Sequence, residues 1–294
     1  IGNQVLAPVP TDYRCTVLYN AFDVTSMLLH KNAIGVTLGN GRFYTMQQNK
    51  KAYKITNFGY PKLRLNIVIE YQDGTKKIIS TNEKWKLNVD GPIRSNNEYD
   101  GEIYDARKEL GNWTSVEYDD SKWQTAERVA APYGTLRGAM SENMKIVKTL
   151  SPVMMKKHGD NYILDMGQNF AGWLKMKVNG GNAGDTIRLR FAETLTKDGA
   201  LYRDNLRNAE ATDYYILKGD ERDVEWSPRF VYHGFRYAEI SGASNPRKED
   251  FIGEVISDDV EKVGTFCCSD TTLNKVYHNA EWGVLSNYKG MPVD

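Results

Sequence analysis

The sequence predicts a mainly β chain: two tandem antiparallel β-sandwiches, then a linker and a single helix. Three observations carry that reading. Apolar residues alternate with polar ones through long stretches, clusters of Gly, Asn and Asp interrupt the alternation at short intervals, and a helical period appears only after Asp270. Strands at such spacing with polar punctuation are the pattern of sandwiches. With 294 residues the chain is long enough for two domains of ordinary size.

The first clear element is Leu63-Arg64-Leu65-Asn66-Ile67-Val68-Ile69-Glu70-Tyr71, which runs into Asp73-Gly74 and resumes as Lys77-Ile78-Ile79-Ser80. Asp-Gly supplies the positive φ angles of a tight turn, so a hairpin is expected. Trp173 to Val178, the turn Asn179-Gly180-Gly181 and the alternating run Asp185 to Glu193 repeat the same logic. Asp213 to Leu217 and Phe230 to Ile240 add two more strands, separated by Lys218-Gly219-Asp220-Glu221. In the second of these, alternation places Phe230, Tyr232, Gly234 and Arg236 on one face and Val231, His233, Phe235 and Tyr237 on the other, so one set must be core. A lone histidine on such a strand is a hydrogen-bonded structural residue more often than a base.

Between the strand-rich halves, Val129-Ala130-Ala131-Pro132-Tyr133-Gly134 through Ser151-Pro152 shows no clear alternation. This sets the expected domains at 1–128, 129–256 and 257–294. After Ser269-Asp270, apolar residues recur at Leu273, Val276, Tyr277, Ala280, Val284 and Leu285, helical spacing behind a capping residue. A lone amphipathic helix must bury its stripe against something. The chain is therefore expected to end where another domain begins.

Composition removes several functions. Lys+Arg and Asp+Glu balance at 38 each, so the basic footprint of a nucleic-acid binder is missing. No apolar run approaches the roughly 18 to 20 residues that cross a bilayer, so no membrane partner is expected, and Ile1-Gly2-Asn3-Gln4-Val5-Leu6 is not a secretory leader. Of three cysteines, Cys267 and Cys268 are adjacent and Cys15 is remote. Neither a disulfide framework nor a paired metal signature follows, and the thiols are expected to be small and buried. His30, His158, His233 and His278 show no ligand spacing. No metal and no cofactor are called for.

Two constellations invite chemistry. Asn97-Glu98-Tyr99-Asp100-Gly101-Glu102-Ile103-Tyr104-Asp105-Ala106-Arg107 packs four acids together, yet it lacks the spacing of a calcium loop. Acids along one extended segment also seldom face each other across a sugar. Asp165-Met166-Gly167-Gln168-Asn169-Phe170-Ala171-Gly172-Trp173 has the glycines of a phosphate cradle but precedes a strand, not a helix, and reads as a bend feeding a sandwich edge. No nucleophile elbow or Walker motif occurs, and no catalytic residue is assigned.

Resemblance adds what spacing cannot. Leu6-Ala7-Pro8, Thr11-Asp12-Tyr13-Arg14, Phe22-Asp23-Val24-Thr25, Asn32-Ala33-Ile34-Gly35-Val36 and Leu38-Gly39-Asn40-Gly41 resemble the N-terminal module of bacterial α-L-rhamnosidases, glycoside hydrolase family 78. Glu102-Ile103-Tyr104-Asp105-Ala106-Arg107 and Asp119-Asp120-Ser121-Lys122-Trp123 continue the match. The next module of that family is resembled by Asp165-Met166-Gly167-Gln168-Asn169, Gly172-Trp173, Ala192-Glu193, Asn205-Leu206-Arg207, Thr212-Asp213 and His233-Gly234-Phe235-Arg236-Tyr237. These motifs span nearly the whole chain in the family's order.

The resemblance implies jelly-roll, galactose-binding-like first and concanavalin-like second sandwiches, ahead of the first helix of a catalytic (α/α)6 barrel. It implies an inverting hydrolase of terminal α-L-rhamnose on glycans or glycosides, with the general acid and general base beyond Asp294 and the chain itself inactive. Pro292-Val293-Asp294 matches the first three positions of the barrel's early signature, which makes Asp294 a substrate-binding carboxylate for rhamnose hydroxyls. Partners are then a rhamnose-containing carbohydrate and, within the molecule, the barrel. Location is expected to be periplasmic or extracellular, with a cytoplasmic one left open. The chain departs from the family at Pro8-Val9-Pro10-Thr11, where relatives commonly read Pro-Gly-Trp-Thr, which removes an aromatic platform for a sugar ring. The start at Ile1 resembles the middle of the module's opening strands, so truncation at both ends is expected. A free-standing carbohydrate-binding module and a protein-interaction sandwich are the alternative functions.

Overall fold

The structure is a computed structural model that describes residues 1–45, 57–139, 141–219 and 221–293. Its front part carries β1 (Thr16–Tyr19), β2 (Asn66–Glu70), β3 (Lys76–Ser80), β4 (Lys86–Leu87), β5 (Ile93–Asn97), β6 (Gly101–Asp105), β7 (Gln124–Thr125) and β8 (Thr135–Gly138). There follow β9 (Met144–Leu150), β10 (Met154–His158), β11 (Asn161–Val178), β12 (Thr186–Ala192), β13 (Thr194–Leu195) and β14 (Leu201–Tyr202). The remainder is β15 (Thr212–Ile216), β16 (Val224–Trp226), β17 (His233–Ser241), β18 (Phe251–Asp258) and the helix α1 (Thr271–Asn287). The mainly β body followed by one helix is as expected. Among the described residues no helix is long and apolar enough to cross a membrane.

One large sheet runs β5-β6-β15-β12-β17-β11-β18-β9, with β10 and β16 attached to β11. Its centre is apolar: Leu164, Leu174, Leu189, Phe235, Ala238 and Ile240 are wholly shielded from water. Phe170 and Phe191 place their ring centres 4.5 and 4.7 Å from that of Phe235. β17 begins at His233, three residues later than expected; the expected alternation holds at its start, with His233 and Phe235 buried and Gly234 exposed, and gives way to continuous burial over Ala238 to Ile240.

β11 organises the sheet. Tyr162 to Asp165 pair with β17 on one side and β10 on the other; from Phe170 the strand meets β17 again, and from Gly172 it also meets β18. The register slips between Asp165 and Phe170, where Gly167 has a φ of 74°, a conformation that costs glycine little. The bend expected at Asp165 to Trp173 is present. It lies inside a doubly paired strand, however, and not at an edge, because Phe170 to Leu174 are all buried and leave no alternation to mark the strand.

Three further details differ from expectation. β2 and β3 do form a hairpin, with Glu70 opposite Lys76, but Asp73-Gly74 sits in the longer connection 71–75. The Asp73 carboxylate closes that loop by accepting the Thr75 N–H at 2.9 Å and its hydroxyl at 2.7 Å. The runs flanking Asn179-Gly180-Gly181 do not pair with each other, since β17 lies between β11 and β12. The thiols are not buried: Cys15 and Cys267 are exposed and Cys268 is half-buried, because all three lie in segments leading into β1 or α1 and not on a core face.

The sheet also crosses residue 128. β6 lies parallel to β15, with Ile103 beside Tyr214 and Tyr104 beside Tyr215, and β1 lies parallel to β8. Both parallel pairs join distant segments, information that local alternation does not hold.

α1 starts where expected: the Asp270 carboxylate accepts the Thr272 and Leu273 N–H groups at 2.7 and 3.3 Å. Its docking face differs from the expected stripe. Trp282 and Leu285 pack against the main core, whereas Leu273, Val276 and Val284 remain 51, 60 and 45 % exposed.

Candidate functional site

Two wholly buried acids and a buried histidine gather where β6, β15 and the entry to β17 meet. Glu102 and Asp213 are fully buried and His233 is 5 % exposed. Buried polar atoms must find partners, and these do. Asp213 accepts the Glu102 N–H at 2.9 Å, and His233 Nε2 lies 3.0 and 3.1 Å from the two Asp213 oxygens. Because a carboxylate only accepts, this geometry assigns the proton to Nε2. The Glu102 carboxylate in turn accepts the Arg229 N–H at 3.2 Å and the Phe230 N–H at 3.1 Å. His233 is thus a hydrogen-bonded structural residue, stacked on Phe191 with ring centres 4.4 Å apart.

Burial pushes the Glu102 carboxyl up to about 7, with Asp213 adding to the rise and the Arg229 and Phe230 N–H groups opposing it. Its folded value thus lies above the ordinary one of 4.5, so ionisation costs the folded state. The stability this group contributes is complete below about pH 4.5 and is lost as pH rises to about 7. Relative to the native chain, Glu102→Gln is expected to become steadily more stable across that window, by at most about 3 kcal/mol. Urea unfolding at a series of pH values reads this directly, and parallel curves for the two proteins would refute it.

The remaining acids of the Asn97 to Arg107 run are also committed. Asp105 holds Arg107 through a two-pronged contact, 2.9 Å to Nε and 2.8 Å to Nη2. Other motif residues prove to hold the fold as well. Arg236 grips Asp165 through Nε and Nη2, both at 2.8 Å, tying β17 to the β11 bend. Asn169 donates to Glu193 at 2.9 Å, and Trp173 Nε1 donates to Glu254. A Cβ at Gly39 would lie 2.3 Å from the Phe230 ring, so only glycine lets the front segment close on that aromatic. Beside it Asn40 bonds the Asn96 side chain at 2.7 Å and its carbonyl at 2.9 Å.

A second polar knot holds the exit from α1. Lys289 is 3 % exposed and donates to the carbonyls of Ile256 and Leu285. Burial pushes its amine down to about 8, against the pull of Asp258. The Gly290 N–H meets both Asp258 oxygens at 2.8 and 2.7 Å, and Val293 N–H bonds the Asn287 carbonyl at 3.0 Å. Lys289 and Gly290 are therefore fixed to β18, while Pro292 and Val293 fold back on Tyr288 and Asn287 at the end of α1; Asp294, the expected sugar ligand, lies outside the described residues. Sequence reasoning missed Lys289 and Asp258, since a lysine between Tyr288 and Gly290 carries no periodic signal. Among the described residues no three His, Cys, Asp or Glu side chains are grouped to hold a metal ion.

A sheet clamped by a buried acid–histidine seam, followed by a capped helix with an anchored exit, defines a tandem β region that leads into a helical segment. Comparison with known proteins agrees. The family model described as the alpha-L-rhamnosidase N-terminal domain matches residues 1–148, the bacterial alpha-L-rhamnosidase concanavalin-like domain matches 155–257, and its six-hairpin glycosidase domain matches 261–294. An alpha-L-rhamnosidase of Formosa agariphila is 36 % identical over 309 residues, covering 100 % of this chain and 32 % of that protein. The solved alpha-L-rhamnosidase of Dictyoglumus thermophilum superposes with a TM-score of 0.89 at 39 % identity, over 100 % of this chain and 32 % of that one. The Streptomyces avermitilis enzyme, solved with L-rhamnose, superposes at 0.88 with 32 % identity, over 100 % of this chain and 28 % of that one. The chain belongs to the bacterial α-L-rhamnosidase family. It spans about a third of the length of these relatives.

Proposed function

We propose that this chain is the non-catalytic front portion of an α-L-rhamnosidase that hydrolyses terminal α-L-rhamnose from glycans or glycosides with inversion. The observation that carries this reading is the match of the whole chain, module by module, to proteins of that name. Inversion requires two carboxyl groups about 6.5 to 9.5 Å apart, one protonated and one activating water. The acids brought together here serve other ends: Glu102 and Asp213 are locked into a buried seam, and Asp165 and Asp105 into arginine forks. Asp294 is the one sugar-binding carboxylate proposed, following a segment that Asp258 and Lys289 fix to β18. The exposed face of Leu273, Val276 and Val284 is where the six-hairpin domain would pack, and an exported location suits a glycan substrate.

Release of p-nitrophenol from p-nitrophenyl α-L-rhamnoside tests the assignment. The full-length gene product is expected to turn the substrate over, with NMR showing β-L-rhamnose as first product, while this polypeptide alone releases none. Turnover by this polypeptide that disappears on neutralising one of its own acids would overturn the proposal.

A further inference from the structure

Residues 288–293 form a closed loop at the end of α1. The Lys289 N–H donates to the Met291 carbonyl at 3.2 Å, Tyr288 bridges Pro292, and the Val293 N–H returns to the Asn287 carbonyl. A loop closed only on itself can swing about its stem. Three further contacts prevent that here.

The first comes from β18, where the Asp258 N–H donates to the Tyr288 carbonyl at 3.0 Å and the Asp258 carboxylate accepts the Gly290 N–H. The second is Lys289. Its ammonium ties the Ile256 carbonyl on β18 to the Leu285 carbonyl on α1 and lies 5.6 Å from the centre of the Tyr232 ring. The third comes from the front of the chain: Val9 is buried with Trp173, Ile256 and Tyr232, and a Cβ at Gly290 would collide with its side chain. Val9 thus fills the space beside the loop.

Burying an ammonium is costly unless its donors are used. Lys289 directs two of them at main-chain carbonyls of different elements, which holds backbone to backbone. The three anchors also come from all three matched regions, Val9 from the first, Ile256 from the second, and Lys289 with Gly290 from the third. We propose that Lys289 is a positioning residue for the hydrolysis: together with Asp258 and Val9 it fixes the loop 288–293, so that Asp294, next in sequence, meets the rhamnose hydroxyls in one orientation. This rests on the reading of Asp294 as the sugar-binding carboxylate. Lys289 acts through the loop backbone, and the front module, through Val9, supports the sugar site without touching sugar.

A double-substitution cycle in the full-length protein tests the proposal, because a residue that acts through another adds nothing once that other is gone. Asp294→Asn is expected to raise KM for p-nitrophenyl α-L-rhamnoside by about tenfold or more. Lys289→Met, of similar length and without charge, is expected to lower kcat/KM about tenfold, with the loss in KM and not in kcat. In the Asp294→Asn background it is expected to cost nothing further. Val9→Ala keeps every hydrogen bond of the loop and is expected to lose about threefold with the same non-additivity; it carries the cycle if Lys289→Met does not fold. Losses that multiply in the double variants, or single variants with unchanged kcat/KM, overturn the proposal while native turnover upholds the assignment as a rhamnosidase. Absence of turnover by the native full-length protein overturns that assignment, and the proposal with it.

Discussion

Asp213→Ala is expected to lose about 3–5 kcal/mol of unfolding free energy, the usual cost of stripping one partner from a buried charged contact. The substitution leaves His233 Nε2 and the Glu102 N–H without acceptors in a region closed to water, and each orphan adds its own desolvation penalty. Asp12→Ala is the control. Asp12 holds Arg14 through a two-pronged contact, but both side chains are exposed, and its loss should leave the urea midpoint close to that of the native chain. Equal urea midpoints for the two variants would show that the seam contributes nothing special.

Gly101→Ala is expected to be as damaging, at about 4 kcal/mol or more, because two independent penalties coincide. The residue has a φ of 113° and its Cβ would fall 2.0 Å from the Thr212 carbonyl oxygen. Relief requires β6 to move off β15, which also breaks the Glu102 N–H bond to Asp213. Gly111→Ala separates backbone strain from crowding: Gly111 has a φ of 63° but open space around it, and should cost about 1–3 kcal/mol. Thermal melts that rank the two variants equally would refute close β6–β15 contact as the cause.

Local chemistry was legible wherever it was the whole story. The β2–β3 hairpin, the core face of β17 and the Asp270 cap all follow from neighbours in sequence, and the structure shows them. What alternation could not reveal is long-range. β17 inserted between β11 and β12 cannot be told from a simple hairpin by counting turns, and continuous burial from Phe170 to Leu174 hides a central strand. The stripe on α1 reads as apolar and in need of a further partner, and Leu273, Val276 and Val284 are exposed; what the spacing does not show is that Trp282, off the stripe, anchors the helix to the sheet. Of the site, His233 reads as structural and proves so, whereas its pairing with Asp213, twenty residues away, is not legible from either motif alone. The family motifs are legible in the sequence; that Asp165 and Arg236 form one fork is not, since the two are seventy-one residues apart.

The parallel seam between β6 and β15 limits how this chain can be recombined with its relatives. A splice between residues 128 and 129 would detach β6 from its neighbour, baring the outer rim of β15 and leaving Glu102 and Asp213 without each other. A chimera that imports the front module from a relative must therefore bring a matching β15, or be expected to come out of the cell as aggregate.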